Sequence, residues 1–132
     1  MQFVERFTLR TFAVLVLLAA PLLAYAGIQR PFDQQAFKDA QSAGKPVLIE
    51  IHADWCPTCK AQLPILNKLS AEPTYSNVVR FRVDFDSQKD LVKKFGARTQ
   101  STLVLYKGKN EVARSVGGTD EARIRAMLNK AL

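Results

Sequence analysis

The spacing of hydrophobic and polar residues changes several times along the chain, and each change marks a predicted element. Alternation over Val78–Phe85, with Val79, Phe81, Val83 and Phe85 facing one way, predicts a strand with one buried face. The almost continuously apolar run Val47–Ile51 predicts a strand that is buried on both faces. Apolar residues at helical spacing predict a helix over Pro57–Ser70, in which Pro64 should introduce a kink.

Cap and turn residues define the remaining elements. Asp33 is a suitable N-cap for a helix over residues 34–43, which Gly44 ends. A short helix over residues 88–95 precedes Gly96, and an amphipathic helix over residues 120–132 closes the chain. Between these helices, two strands over residues 102–106 and 111–116 flank a hairpin turn.

The predicted order of elements is α-β-α-β-α-β-β-α, which favours the α/β class. Strands that are joined by helices pair in parallel, and the terminal hairpin adds an antiparallel strand. We therefore predict a central mixed four-stranded sheet flanked by helices. The extended residues 27–31 can add a short extra N-terminal strand.

The first 26 residues follow a different pattern. Arg6 and Arg10 precede an apolar run, Thr11–Ala24, which is shorter than the roughly 20 residues that span a bilayer and is interrupted by Pro21. The run ends in Ala24-Tyr25-Ala26, the small-x-small pattern that signal peptidase accepts. We predict a cleaved signal peptide over residues 1–26 and an exported, periplasmic domain over residues 27–132. An uncleaved anchor helix is the alternative.

Composition and charge restrict the class of protein. Hydrophobic residues make up 48% of the chain and charged residues 23%, which indicates one globular domain and argues against disorder. The formal net charge is +7, and without Arg6, Arg10 and Glu5 the mature domain keeps 17 basic and 11 acidic residues. These basic residues are scattered and not interleaved with aromatic ones, so we predict no nucleic-acid partner.

The chain has two cysteines, Cys56 and Cys59, within Trp55-Cys56-Pro57-Thr58-Cys59-Lys60. This motif lies between a buried strand and a helix, and the N-terminus of a helix stabilises a thiolate. We predict that Cys56 is a partly exposed nucleophile and that Cys59, one turn further along, is the resolving thiol. A metal-handling site and a structural disulfide are the alternatives, although closing so short a loop would stabilise the fold little.

With these motifs the mature chain resembles the thioredoxin family over essentially its whole length. Besides the cysteine motif, the matching features are Lys45–Leu48, Pro64, Phe95–Arg98, Thr102–Gly108 and Val116–Gly117. The resemblance implies the thioredoxin fold and a thiol–disulfide oxidoreductase that uses a redox-active disulfide and no other cofactor.

The resemblance also implies partners for this activity. We expect a monomer that exchanges with protein thiols and disulfides. Exported oxidases of this superfamily usually carry a helical insertion, for which the 106 residues of the mature domain leave no room. We therefore expect a reductase or electron carrier that is re-reduced by a membrane thiol transporter. A metal-handling module for Cu(I) or Zn(II) and a binding domain without turnover are the alternatives.

Glu50 lies six residues before Cys56, where the family has a buried acid beneath the disulfide. The resemblance implies that Glu50 assists proton transfer to and from Cys59, a role for which a buried carboxyl is suited. Arg82 lies where the family often has a lysine near this acid, so Arg82 is either a counter-charge to Glu50 or an exposed strand residue.

Two residues depart from the family pattern. Ser101 occupies the position of the family's cis-proline, and a cis bond before serine would cost about 3–4 kcal/mol. The loop is therefore either trans and reshaped or strained, and we expect altered substrate choice and thiol accessibility. His52 replaces the usual aromatic residue; we expect a structural histidine, with tuning of Cys56 or a third metal ligand as alternatives. Both are predicted to line or tune the substrate groove, together with Trp55, Pro57, Thr58 and Thr102.

Overall fold

The computed structural model describes residues 27–132, which form a five-stranded mixed sheet between two layers of helices. The elements in chain order are β1 (Gln29–Pro31), α1 (Gln34–Ser42), β2 (Pro46–His52), α2 (Pro57–Ser70), β3 (Val79–Asp84), α3 (Lys89–Lys94), β4 (Thr102–Lys107), β5 (Asn110–Val116) and α4 (Glu121–Asn129). A 3₁₀ turn, Pro73–Tyr75, connects α2 to β3. The predicted class and element order are confirmed, and β1 is the extra N-terminal strand. The predicted signal peptide lies outside the described residues.

The sheet order is β1-β3-β2-β4-β5. Both β1 and β2 pair in parallel with β3, whereas β4 pairs antiparallel with β2 and β5. The central strand β2 is buried at all seven positions, which explains its apolar sequence. Because β2 and β4 run in opposite directions, Thr102 at the start of β4 lies opposite Ile51 near the end of β2. This pairing brings Ser101 to the same end of the sheet as the cysteine motif.

The sheet separates two hydrophobic clusters. Under α1 and α3, the rings of Phe37, Phe81 and Phe95 pack edge to face, and the centroids of Phe37 and Phe95 are 5.5 Å apart. The opposite cluster joins β2 and β4 to α2, α4 and the 3₁₀ turn. The alternation predicted for β3 is confirmed, since Phe81 and Val83 belong to the first cluster. Arg80 therefore points to the opposite face, where it is 1% exposed.

Local signals define the helix ends. Asp33 accepts a hydrogen bond from the amide of Ala36 at 2.6 Å, as its prediction as an N-cap requires. Asp120 caps α4 in the same way through Arg123, so this helix begins one residue later than predicted and ends at Asn129. Within residues 27–132, no helix is long and apolar enough to cross a membrane.

Candidate active site

The two cysteines lie where β2 ends and α2 begins, and both are free thiols. Cys56 is the N-cap of α2, and Pro57 takes the first helical position, where its missing N–H removes no hydrogen bond. The backbone amide of Cys59 donates to Cys56 Sγ at 3.1 Å. This amide is one of those that a helix leaves unpaired at its start, so it is available to stabilise negative charge on Cys56.

Both thiols are buried, with Cys56 only 1% and Cys59 only 3% exposed. The prediction that Cys56 is partly exposed is therefore wrong. The physical reason is local packing: the two cysteines form a small apolar cluster with Ala53, against which Phe85 packs. Ser101 contacts the same sulfur atoms, so the absence of a proline ring does not open them to solvent.

Ser101 adopts a trans, reshaped loop. No cis peptide bond occurs within residues 27–132, and Ser101 has a φ of 62°, in the left-handed region. That conformation costs a residue with a Cβ atom about 1–2 kcal/mol. In return, Ser101 Oγ lies 3.1 Å from Cys56 Sγ and 3.2 Å from Cys59 Sγ. The hydroxyl therefore contacts both sulfur atoms at once.

Gln62 holds the Ser101 loop in place, and sequence reasoning missed it. Its buried amide donates to the carbonyl of Ser101 at 3.2 Å and to that of Gly118 at 2.7 Å. Gly117 N–H also donates to the Ser101 carbonyl, at 3.0 Å. The available signal was a polar residue three positions after Cys59, on the helix face that points into the protein.

The surroundings make the two thiols chemically unequal. Burial acts to raise the pKa of Cys56, but hydrogen bonds from the Cys59 and Ser101 side chains and from the backbone of Cys59 and Thr58 outweigh it, so this pKa lies below its ordinary value. Burial raises the pKa of Cys59, and the hydrogen bond and charge of Cys56 raise it further, against the opposing effects of Ser101 and the Ala53 backbone. The thiolate therefore forms first at Cys56, as a nucleophile followed by a resolving thiol requires.

Glu50 is buried, but its carboxylate is bound by other side chains. Arg80 donates from Nε to Oε1 at 2.5 Å and from Nη2 to Oε2 at 3.2 Å, and Gln29 also donates to Oε2. No hydrogen bond within residues 27–132 joins Glu50 to Cys59. The predicted proton transfer by Glu50 therefore stays a prediction.

Arg80, and not Arg82, is the counter-charge of Glu50. The Arg80 guanidinium also donates to Asn67 and Ser70 of α2, which cover it. Arg82 lies two residues nearer the end of the strand, where its side chain is 32% exposed and is 3.9 Å from Asp54. Of the two alternatives for Arg82, the structure therefore supports the exposed strand residue. Position in the family pattern alone does not specify which of two arginines on one strand face lies beneath the helix.

The side chains of the other predicted site residues form no hydrogen bond to the thiols within residues 27–132. His52 is buried, with Nε2 3.0 Å from Asp54 Oδ1, as expected of a structural histidine. Thr102 is buried, and its hydroxyl donates to the carbonyl of Thr99 at 2.8 Å. Pro57 is exposed and Thr58 is half-buried. In the part of the chain that the structure describes, no three His, Cys, Asp or Glu side chains are close enough to hold a metal ion.

Two large apolar side chains are exposed beside the site. Trp55 precedes Cys56, is 57% exposed and donates from Nε1 to Asp86 at 2.7 Å. Val116 is also exposed, and it pairs with Thr102 next to Ser101.

Comparison with known proteins shows that the sequence and the fold are similar to those of thioredoxins. The family model described as "Thioredoxin" matches residues 29–130. Thioredoxin of Chlamydia muridarum is 34% identical over 97 residues, covering 74% of this chain and 92% of that protein. Thioredoxin C-2 of Corynebacterium nephridii is 32% identical over 106 residues, covering 80% and 96%. The crystal structure of Trxlp from Edwardsiella tarda superposes with a TM-score of 0.74 at 40% identity, covering 76% of this chain and 98% of that one.

Proposed function

Because the chain belongs to the thioredoxin family of protein-disulfide oxidoreductases, we propose that it is an exported reductase or electron carrier for protein disulfides. The observation that carries the proposal is the pair of adjacent, unequal thiols at the start of α2. The reaction needs no cofactor beyond the redox-active disulfide that Cys56 and Cys59 form.

The chemistry follows from the order in which the thiols ionise. The Cys56 thiolate attacks one sulfur of a substrate disulfide, forms a mixed disulfide and releases the other substrate sulfur as a thiolate. The Cys59 sulfur then attacks Cys56 Sγ, and the bond between Cys56 and the substrate breaks with its electron pair on the substrate sulfur. The substrate gains two electrons, and the two cysteines become a disulfide. Because its pKa is raised, Cys59 keeps its proton until the mixed disulfide has formed.

The compact domain supports the reducing direction. Between β3 and β4 the chain contains one six-residue helix, α3, and no inserted helical segment. The exposed Trp55 and Val116 offer a surface on which a protein substrate can dock beside Cys56. A monomer suffices for this reaction, because Cys56 and Cys59 come from one chain.

Export and the electron donor follow from residues 1–26, whose sequence is typical of a cleaved signal peptide. An exported reductase is separated from cytoplasmic electron donors, so we assign its re-reduction to a membrane thiol transporter. Mass spectrometry of the periplasmic fraction of bacteria that express the whole chain tests the first point. A mature N-terminus at Gly27 is expected, whereas an intact Met1 in the cytoplasmic fraction would overturn export.

The activity is tested by the reduction of insulin disulfides with dithiothreitol as electron donor. Cys56→Ser should abolish the activity, whereas Cys59→Ser should retain the first step and accumulate a mixed disulfide that is visible by mass spectrometry. Full activity of Cys56→Ser would contradict the assignment.

The direction is tested by titrating the Cys56–Cys59 pair with glutathione. A reduction potential near about −270 mV supports a reductase, and one near about −120 mV an oxidant.

A further inference from the structure

Ser101 lies between the two reacting sulfur atoms and is almost completely enclosed. Its Oγ is 3.1 Å from Cys56 Sγ and 3.2 Å from Cys59 Sγ, and the residue is 3% exposed. We propose that the Ser101 hydroxyl is a catalytic group that switches its hydrogen bond from Cys56 to Cys59 during each reaction cycle. The proposal rests on the oxidoreductase function above and names the group that stabilises its second thiolate.

A hydroxyl has the donor and acceptor inventory for this role. Serine has one O–H donor and two lone pairs, and the O–H can rotate. When Cys56 is the thiolate, Ser101 can donate to it, beside the S–H of Cys59. When Cys56 is bound in the mixed disulfide, its sulfur carries no charge and is a weak acceptor. The same O–H can then turn to Cys59, where negative charge develops.

The other polar groups near the thiols are not free to move a hydrogen bond from Cys56 to Cys59. The carboxylate of Glu50 is occupied by Arg80 and Gln29, and His52 contacts Asp54. The amide of Cys59 donates to Cys56 and is part of a helix, so it cannot follow the charge as it moves. The Ser101 side chain is thus a mobile donor within reach of both sulfur atoms.

The backbone around Ser101 is held so that only the hydroxyl needs to move. Ser101 N–H donates to the carbonyl of Ile51 at 2.8 Å, and the Ser101 carbonyl accepts from Gly117 N–H and from Gln62. These three bonds hold the backbone in its left-handed conformation. Gln62 is therefore a positioning residue for Ser101.

The second step balances without an outside oxidant or reductant. The Cys59 sulfur loses its proton and forms a bond to Cys56 Sγ, while the bond between Cys56 Sγ and the substrate sulfur breaks. The electron pair of that bond goes to the substrate sulfur, which finally carries the proton that Cys59 has lost. Ser101 supplies a hydrogen bond to the Cys59 sulfur as its charge develops and is unchanged at the end.

Stopped-flow reaction with excess 5,5′-dithiobis(2-nitrobenzoate) separates the two steps. The first absorbance phase depends on reagent concentration and reports the attack by Cys56, and the second is intramolecular and reports the attack by Cys59. Loss of a hydrogen bond to a charged group lowers the thiolate fraction by a factor of about 10, and the higher nucleophilicity of the less acidic thiolate recovers about three-fold. In Ser101→Ala, both phases should therefore slow by about three-fold at acidic pH.

The dependence on pH distinguishes this role from a merely structural one. At alkaline pH, where the variant thiols are ionised as well, the less stabilised thiolates of Ser101→Ala should react as fast as the wild type or faster. The ratio of the Ser101→Ala rate to the wild-type rate therefore rises from below one to one or above as the pH rises. If Ser101→Ala slowed the reaction only by displacing a thiol, the ratio of the variant rate to the wild-type rate would be the same at every pH. That result would overturn the proposal.

Further variants make the outcome decisive. Ser101→Gly also lacks the hydroxyl but accepts the left-handed backbone, so it should give the same kinetics even if Ser101→Ala folds poorly. The exposed Ser42→Ala is a control that should match the wild type. If only the first phase slows, the hydroxyl serves Cys56 alone and no switch exists. Failure of the oxidoreductase function itself is recognised separately, because the wild type would then reduce insulin no faster than Cys56→Ser.

Discussion

The buried pair of Arg80 and Glu50 can be tested by removing the arginine. The two side chains are about 1% and 6% exposed and are joined by two hydrogen bonds. Arg80→Met keeps much of the volume and all of the apolar stem but leaves the Glu50 carboxylate without a counter-charge. We expect this substitution to be among the most destabilising single changes on this face of the sheet.

The magnitude follows from the burial of the carboxylate. Removing one partner of a buried ion pair costs about 3–5 kcal/mol, because the remaining charge is left unpaired. A small domain has a free energy of unfolding of about 5–15 kcal/mol, so a large share of it is lost. The midpoint of thermal unfolding should fall by roughly 15–30 °C.

Guanidinium denaturation followed by circular dichroism measures this loss of stability. Arg82→Met is the matched control: its side chain is one-third exposed and lies 3.9 Å from Asp54, so it should cost less than about 1 kcal/mol. Replacing both partners, as Glu50→Leu with Arg80→Met, should recover most of the loss, because no buried charge remains. A loss below about 1 kcal/mol in Arg80→Met, or a double variant as unstable as the single one, would refute the reasoning.

Two further predictions concern the loop above the thiols. Ser101→Gly should be about 1 kcal/mol more stable than Ser101→Ala, because glycine adopts a φ near 62° without a steric penalty. Thermal denaturation of the two variants decides this, and an alanine variant of equal or higher stability would contradict it. Gln62→Ala leaves the Gly118 carbonyl without its donor and should lower the free energy of unfolding, measured by guanidinium denaturation, by about 1–3 kcal/mol. A variant as stable as the wild type would show that the Gln62 amide does not hold the loop.

Most of the fold could be predicted because the elements other than β1 carry local signals. The apolar run of β2 and the alternation of β3 specify burial on two faces and on one face, respectively. The cap at Asp33 specifies where α1 begins. The three-residue strand β1 has no such pattern, since its formation depends on pairing with β3. It was therefore predicted only as an optional addition.

The sequence predicts those properties of the site that depend on residues close together in the chain. The unequal roles of Cys56 and Cys59 follow from their positions at the start of one helix, and the structure gives them unequal surroundings. The burial of Cys56 could not be predicted in the same way, because Ser101, which contacts it, is 45 residues away in the sequence. Gln62 was missed for a similar reason, since its two acceptors lie in distant loops.

The choice between Arg80 and Arg82 shows why position within a family does not determine an electrostatic partner. Both arginines lie on the same face of β3, and Glu50 pairs in backbone register with Arg82. A guanidinium nevertheless reaches beyond its own register position, and only Arg80 lies where α2 supplies Asn67 and Ser70 as further acceptors. A buried arginine needs such acceptors for all its donors. The pairing of Glu50 is therefore determined by the helix above the sheet. Because Arg80 occupies the Glu50 carboxylate, Ser101 is the mobile polar group that contacts both thiols.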